Sequence, residues 1–205
     1  MADISPQLVR ELREKTNAGM MDCKRALAEA GGDLAKAEDL LRAKGIASAG
    51  KKASRSAKEG IVASYIHLQG KVGVLVEVNC ETDFVAKNEN FREFVKDITL
   101  HIAAANPTCV SRDQVDPTQI EREKAIYRQQ VEGKPANIVE KIVEGKVDKF
   151  YGTICLMEQP FIKNPDLTIA DLVKSKISEL GENIVIRRFT RYMVGEGVSD
   201  EPAAE

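Results

Sequence analysis

Surplus charge is the first thing this sequence lacks. Its 30 lysines and arginines are nearly balanced by 32 aspartates and glutamates, leaving a formal net charge of −2 over 205 residues. A chain whose main partner is a phosphate backbone usually carries a basic excess on one face. Direct nucleic-acid binding is therefore not expected as the main role, although local basic patches stay open. Long apolar runs are missing too. No stretch is long and apolar enough to span a bilayer, and the start, MADISPQLVRELREK, has no apolar core of a signal peptide. The expectation is a cytoplasmic protein with no membrane partner. Histidine is scarce: only His67 and His101 occur, neither near a cysteine or carboxylate pair. Zinc ligands at short spacing and a nucleophile in a recognisable triad context are both missing. Neither a cofactor nor a resident metal is expected, and nothing points to an enzyme. The four cysteines, Cys23, Cys80, Cys109 and Cys155, form no C-x-x-C pair. They read as reduced, mostly buried thiols, with a redox bridge, one between chains included, as the other reading.

What is present fits a globular chain, with 30% charged and 43% hydrophobic residues. Residues 1–44 read as a three-helix module. Ser5-Pro6 is a start signal, with serine as cap and proline in the first turn. Leu8, Val9 and Leu12 then form a stripe that stops near Thr16-Asn17-Ala18-Gly19. A second helix carries Met21, Ala26 and Leu27 and ends at Gly31-Gly32. Asp33 caps a third, with Leu34, Ala37, Leu40 and Leu41, closed by Gly45. Residues 45–60 are small, polar and basic and read as a linker with some helix.

From residue 61 the period becomes two. IVASYIHL and VGVLVEVNC are strand-like and separated by Gln69-Gly70-Lys71, a hairpin signal. Val72, Val74, Val76 and Val78 would line one face. A helix follows with Phe91, Phe94, Val95, Ile98 and Ile102 on one side. Further helix starts stand at Asp116-Pro117, at Lys134-Pro135, and at Asp166 or Thr168. ENIVIRRFTRYMV reads as the last strand. Residues 61–195 thus form an α+β domain with a small antiparallel three-stranded sheet packed with helices. Residues 196–205 read as a disordered tail.

Two stretches invite a functional reading. Gly45 to Lys51 nearly completes a phosphate-cradling loop, G-x-x-x-x-G-K-[ST]. However, Lys52 replaces the hydroxyl residue, and a helix rather than a strand precedes the run. ETDFVAKNENF is the more informative stretch. Phe84 lies seven residues before Phe91, which would extend the buried helical stripe and make Phe84 core. Against that, Asn88 and Asn90 look like a helix cap. In that case Thr82 to Val85 form a loop that displays Phe84 as an anchor for another protein.

VRELREKTNAGMMDCKRALAEAGGDLAKA, LVEVNCETDFVAKNENF, GKPANIVEKIVEGKVDKFYGTICLMEQPF and NIVIRRFTRYMVGEG together resemble the bacterial elongation factor Ts family over nearly the whole chain. The resemblance implies a ubiquitin-associated-like N-terminal module that contacts the GTPase domain of elongation factor Tu. Met20 and Met21 are then candidate contacts, with core packing as the alternative for either. It also implies that Thr82, Asp83, Phe84 and Val85 help dislodge Mg²⁺ from that partner so that GDP exchanges for GTP. This turns the reading of Phe84 toward insertion into a partner, with Val85 facing home. Longer family members carry two core subdomains. This chain resembles the short, single-core form, which implies a homodimer; a monomer whose helices cover the sheet is the alternative. A ubiquitin-associated-like adaptor that binds a partner without exchange activity is the competing function.

Overall fold

The computed structural model describes residues 4–16, 18–131, 133 and 135–197, without the side chains of 46–48, 136 and 137. Among the described residues the helices are α1 (Pro6–Thr16), α2 (Met20–Glu29), α3 (Leu34–Lys52), α4 (Asp83–Lys87), α5 (Glu89–Ala105), α6 (Pro117–Gln129), α7 (Ala136–Ile154) and α8 (Ile169–Leu180). The strands are β1 (Glu59–His67), β2 (Val72–Cys80), β3 (Pro160–Phe161), β4 (Asn164–Thr168) and β5 (Val185–Met193). The α+β class is borne out, with one antiparallel three-stranded sheet in the order β1-β2-β5. The chain divides into two units, residues 1–61, 79–94 and 170–185 in the first and residues 62–78, 95–169 and 186–205 in the second.

In the first unit, α1 to α3 form a ubiquitin-associated-like module around Val9, Leu12, Cys23, Ala26, Leu27 and Ala37. The expected caps hold it. Leu8 N–H donates to Ser5 Oγ at 3.2 Å, and Lys36 N–H donates to Asp33 Oδ1 at 3.1 Å. One boundary differs. Helix α3 does not stop at Gly45 but runs to Lys52. Gly45 lacks the left-handed conformation of a helix-ending glycine. It serves close approach instead: a Cβ there would lie 2.9 Å from Ser178 Oγ. The alanines that follow, Ala47 and Ala49, favour continuation, and Ala53 N–H closes the end on Ala49 O at 3.0 Å. The near-phosphate-loop run therefore lies within a helix, where its amides serve the helix and cannot cradle a phosphate. Asn17 and Lys134, both placed at expected element boundaries, lie outside the described residues, as does the expected tail from 198 onward.

In the second unit β2 follows its period-two pattern, with Val72, Val74, Val76 and Val78 all buried. The link from β1 to β2 is a tight turn in which Leu68, Gln69 and Gly70 all adopt positive φ. Helices α6 and α7 form a hairpin around Val115, Ile120, Val131, Val143, Val147 and Cys155. Asp116 caps α6 as expected, accepting from Thr118 N–H at 2.8 Å. The sequence pattern did not reveal the short β3–β4 hairpin, whose register pairs Pro160 with Thr168. Asp166 therefore sits in a strand, and α8 starts only at Ile169. All four thiols are free, and Cys109 and Cys155 lie 3.6 Å apart, sulfur to sulfur.

Candidate functional site

The stretch ETDFVAKNENF folds at the end of β2, within the first unit. Thr82 is extended (φ −128°, ψ 156°) and caps the five-residue helix α4, its hydroxyl accepting from Val85 N–H at 3.4 Å. Asn88 is extended again (φ −66°, ψ 136°) and ends α4. Its side chain then accepts from Asn90 N–H at 2.8 Å, opening α5. The expected loop from Thr82 to Val85 is thus a capped helical turn. A helical turn sorts its neighbours by face. Ala86 is buried, Val85 is half-buried, and Thr82, Asp83 and Phe84 are exposed. Phe84 is 82% exposed, more than any other large hydrophobic side chain among the described residues. Lys87 Nζ donates to Asp83 Oδ2 at 2.7 Å, one helical turn on, and this bond holds the Asp83 carboxyl below the usual carboxylate range.

The base of the turn is fixed by residues about 100 positions later in the chain. Glu182 Oε2 accepts from both Glu81 N–H and Thr82 N–H at 3.0 Å, and its Oε1 accepts from the Thr82 hydroxyl at 2.6 Å. In return Asn183 N–H donates to Glu81 Oε1 at 2.6 Å. The buried Asn183 amide also donates to Ala53 O at 3.3 Å and Arg55 O at 2.8 Å, just beyond α3. On the far side of α4, Asn90 Nδ2 donates to Glu179 Oε1 at 3.0 Å. The Cys80 thiol donates to Thr82 O at 3.1 Å, and burial, aided by the Glu182 charge, pushes its pKa up to about 11. The result is a firmly held corner that presents one aromatic ring and one carboxylate to solvent.

A sequence model described as Elongation factor TS matches residues 47–196. Across 198 residues the chain is 61% identical to "Elongation factor Ts" of Alkaliphilus oremlandii, covering 96% of this chain and 91% of the relative. Identity to the protein of the same name from Geotalea daltonii is 60%, covering 95% of this chain and 91% of the relative. For Desulforamulus reducens it is 57%, covering 100% of this chain and 97% of the relative.

The chain belongs to the elongation factor Ts family. That membership ties it to translation elongation. The region matched by the family model contains both the Thr82–Val85 corner and Glu182. The matches that reach nearly full length also take in the helical module. There Met20 and Met21, at the start of α2, are 48% and 66% exposed. Helix α2 carries Met21 as expected, and its buried positions are Cys23, Ala26 and Leu27, so the core-packing alternative for the two methionines does not hold.

The two histidines serve structure where they stand. His101 is buried, with Nε2 3.0 Å from Gln159 Oε1 and Nδ1 accepting from Ile162 N–H at 3.4 Å. Exposed His67 stacks on Tyr65 and bonds to its hydroxyl at 2.8 Å. No group of three metal-ligating side chains occurs among the described residues, and none of the described helices is long and apolar enough to cross a membrane. The part of the site that sequence reasoning missed is Glu182 with Asn183. The only local signal was a polar pair just after Gly181, in a stretch read as the start of a strand.

Proposed function

We propose that the chain is a guanine nucleotide exchange factor that binds elongation factor Tu carrying GDP. It speeds GDP release by disturbing Mg²⁺ and phosphate binding in the partner, and it makes or breaks no covalent bond. Membership of the elongation factor Ts family supports this reading. The single observation that carries it is the exposure of Phe84 on a capped turn beside Asp83. Phe84 wedges between partner elements while Asp83 disturbs the groups that hold the metal, and Thr82 and Val85 set the turn. Once Mg²⁺ is displaced, the phosphates repel one another and the nucleotide loosens. The helical module, with Met20 and Met21 exposed, grips the GTPase domain. Coupling is reciprocal, so nucleotide must weaken factor binding as much as the factor weakens nucleotide binding.

The proposed domain plan keeps residues 1–44 as the docking module, 45–60 as its connection, 61–195 as the core and 196–205 as a tail. The core is proposed to pair with a second copy. Val62, Ile66 and Leu75 are exposed on the β1–β2 ribbon, and Gly73 admits Ile66 to within 3.3 Å of where a Cβ would stand. This leaves an apolar face opposite the buried valines for a second copy to cover.

The deciding experiment follows a fluorescent GDP analogue leaving elongation factor Tu in a stopped-flow instrument. Adding the chain should accelerate release in proportion to its concentration and then saturate. Binding without acceleration would leave the adaptor reading, which the exposed methionines of the helical module favour.

A further inference from the structure

We infer that Glu182, backed by Asn183, is the positioning residue that holds the Asp83–Phe84 corner in its exchange-competent orientation. The inference rests on the exchange reading above and assigns a role to a side chain that touches no nucleotide.

The geometry is specific. A carboxylate accepts hydrogen bonds and donates none. Glu182 uses both oxygens on one short segment, two backbone amides on Oε2 and a hydroxyl on Oε1. Those two amides belong to the residues that immediately precede α4, where the chain direction into the helix is set. The hydroxyl it accepts from is the same Thr82 hydroxyl that caps α4 through Val85 N–H. Thr82 has one proton and two lone pairs. With its proton committed to Glu182, a lone pair is left to face the helix, as a cap requires. Glu182 therefore fixes the cap's donor–acceptor sense as well as its position. The contact is also returned, since Glu81 accepts from Asn183 N–H and Asn183 is itself moored to Ala53 O and Arg55 O. A helix of five residues cannot hold itself in water, so its orientation must come from such outside bonds. Phe84 lies two residues beyond the anchored Thr82, and a small rotation at Thr82 swings the ring through a much larger arc.

The test measures GDP release from elongation factor Tu at saturating factor, together with the half-saturating concentration. Glu182→Ala should lower the maximal rate about tenfold, as expected when the competent orientation falls to about a tenth of the population. The half-saturating concentration should change less than about twofold, because docking by the helical module is untouched. Glu182→Gln should restore most of the rate. Its carbonyl can still accept from both amides, and although its NH₂ reverses the bond to Thr82 by donating to one lone pair, the other lone pair still accepts from Val85 N–H. In free protein, amide exchange at Glu81 and Thr82 should quicken in Glu182→Ala while the amides of α8 stay protected. Placed in a Phe84→Ala background, Glu182→Ala should cost clearly less than it does alone, because the ring it orients is gone and only Asp83 is left to misplace.

An unchanged maximal rate in Glu182→Ala, with Phe84→Ala slow, overturns this inference and leaves the exchange reading standing. So does a loss that simply adds to that of Phe84→Ala, or one that Glu182→Gln fails to rescue. Wild-type rates in both Phe84→Ala and Asp83→Ala overturn the exchange reading itself, whatever Glu182 does.

Discussion

Removing the Phe84 ring separates function from folding more sharply than any other single change. At 82% exposure its side chain supports little in the free protein, so Phe84→Ala should alter unfolding free energy by no more than about 0.5 kcal/mol. Nearly all of its apolar area remains available to a partner. Burying a phenylalanine is worth about 1.5–3 kcal/mol. If that burial occurs only in the nucleotide-loosened arrangement, its loss slows factor-driven GDP release by about 10- to 150-fold at saturation. Phe91, seven residues on and fully buried, is the control. Phe91→Ala should cost about 3–5 kcal/mol of stability through the cavity it leaves. Stopped-flow release with a fluorescent GDP analogue reads the first effect, and urea unfolding followed by circular dichroism reads the second. A Phe84→Ala protein that releases GDP within twofold of wild type would refute the wedge. So would one that loses several kcal/mol of stability, because the ring would then be serving its own fold.

The other predictions concern the helical module, pH and the thiols. Replacing Met20 and Met21 together by alanine should raise the half-saturating concentration severalfold and leave the maximal release rate within twofold, as the same stopped-flow titration will show. Burial keeps the His101 pKa below its ordinary 6.5, so the folded state binds fewer protons than the unfolded one. Its contribution to stability is complete above pH 6.5 and drains away as pH falls from there through the folded pKa. The slope cannot exceed about 1.4 kcal/mol per pH unit for one proton, and urea midpoints of wild type and His101→Gln between neutral and mildly acid pH should differ by that slope. Burial pushes the Cys80 thiol up to about 11 and Cys155 to about 12. Thiolate is the reactive form, so iodoacetamide at mildly alkaline pH should label neither until denaturant is added, as peptide mass spectrometry will register.

Local signals in the sequence were strong wherever one residue decides one hydrogen bond or one face. The Ser5-Pro6 and Asp116-Pro117 starts needed only the cap geometry of a single side chain. The valine alternation of β2 needed only the pleat. Phe84 was undecidable by the same means. Its seven-residue spacing to Phe91 is the spacing of one helical face, and periodicity alone cannot see that Asn88 is extended and splits the run into two helices. Once split, the spacing no longer places both rings on one side. The β3–β4 hairpin escaped notice because five residues beginning Asn164-Pro165 look like a turn. Gly45 read as a helix end because glycine so often is one, yet here it admits Ser178. The anchors of the corner were the least legible, since Glu182 and Thr82 meet across 100 residues and a carboxylate after a glycine resembles any solvated charge.

An apolar ring held in water by charged hydrogen bonds is otherwise hard to rationalise. Folding alone favours turning such a ring inward, where burial would add about 1.5–3 kcal/mol. The bonds from Glu182 stabilise the orientation that forgoes this gain. A ring left on a loose loop would lose conformational freedom on docking, at about 0.5–1.5 kcal/mol for an immobilised side chain and more for the backbone that carries it. Fixing the corner beforehand removes that cost from the encounter and keeps the transfer free energy of the ring for the partner. On this argument the exposed Phe84 and the distant Glu182 form one device. Loosening the anchor should therefore resemble a weaker wedge and leave the stability of the fold largely unchanged.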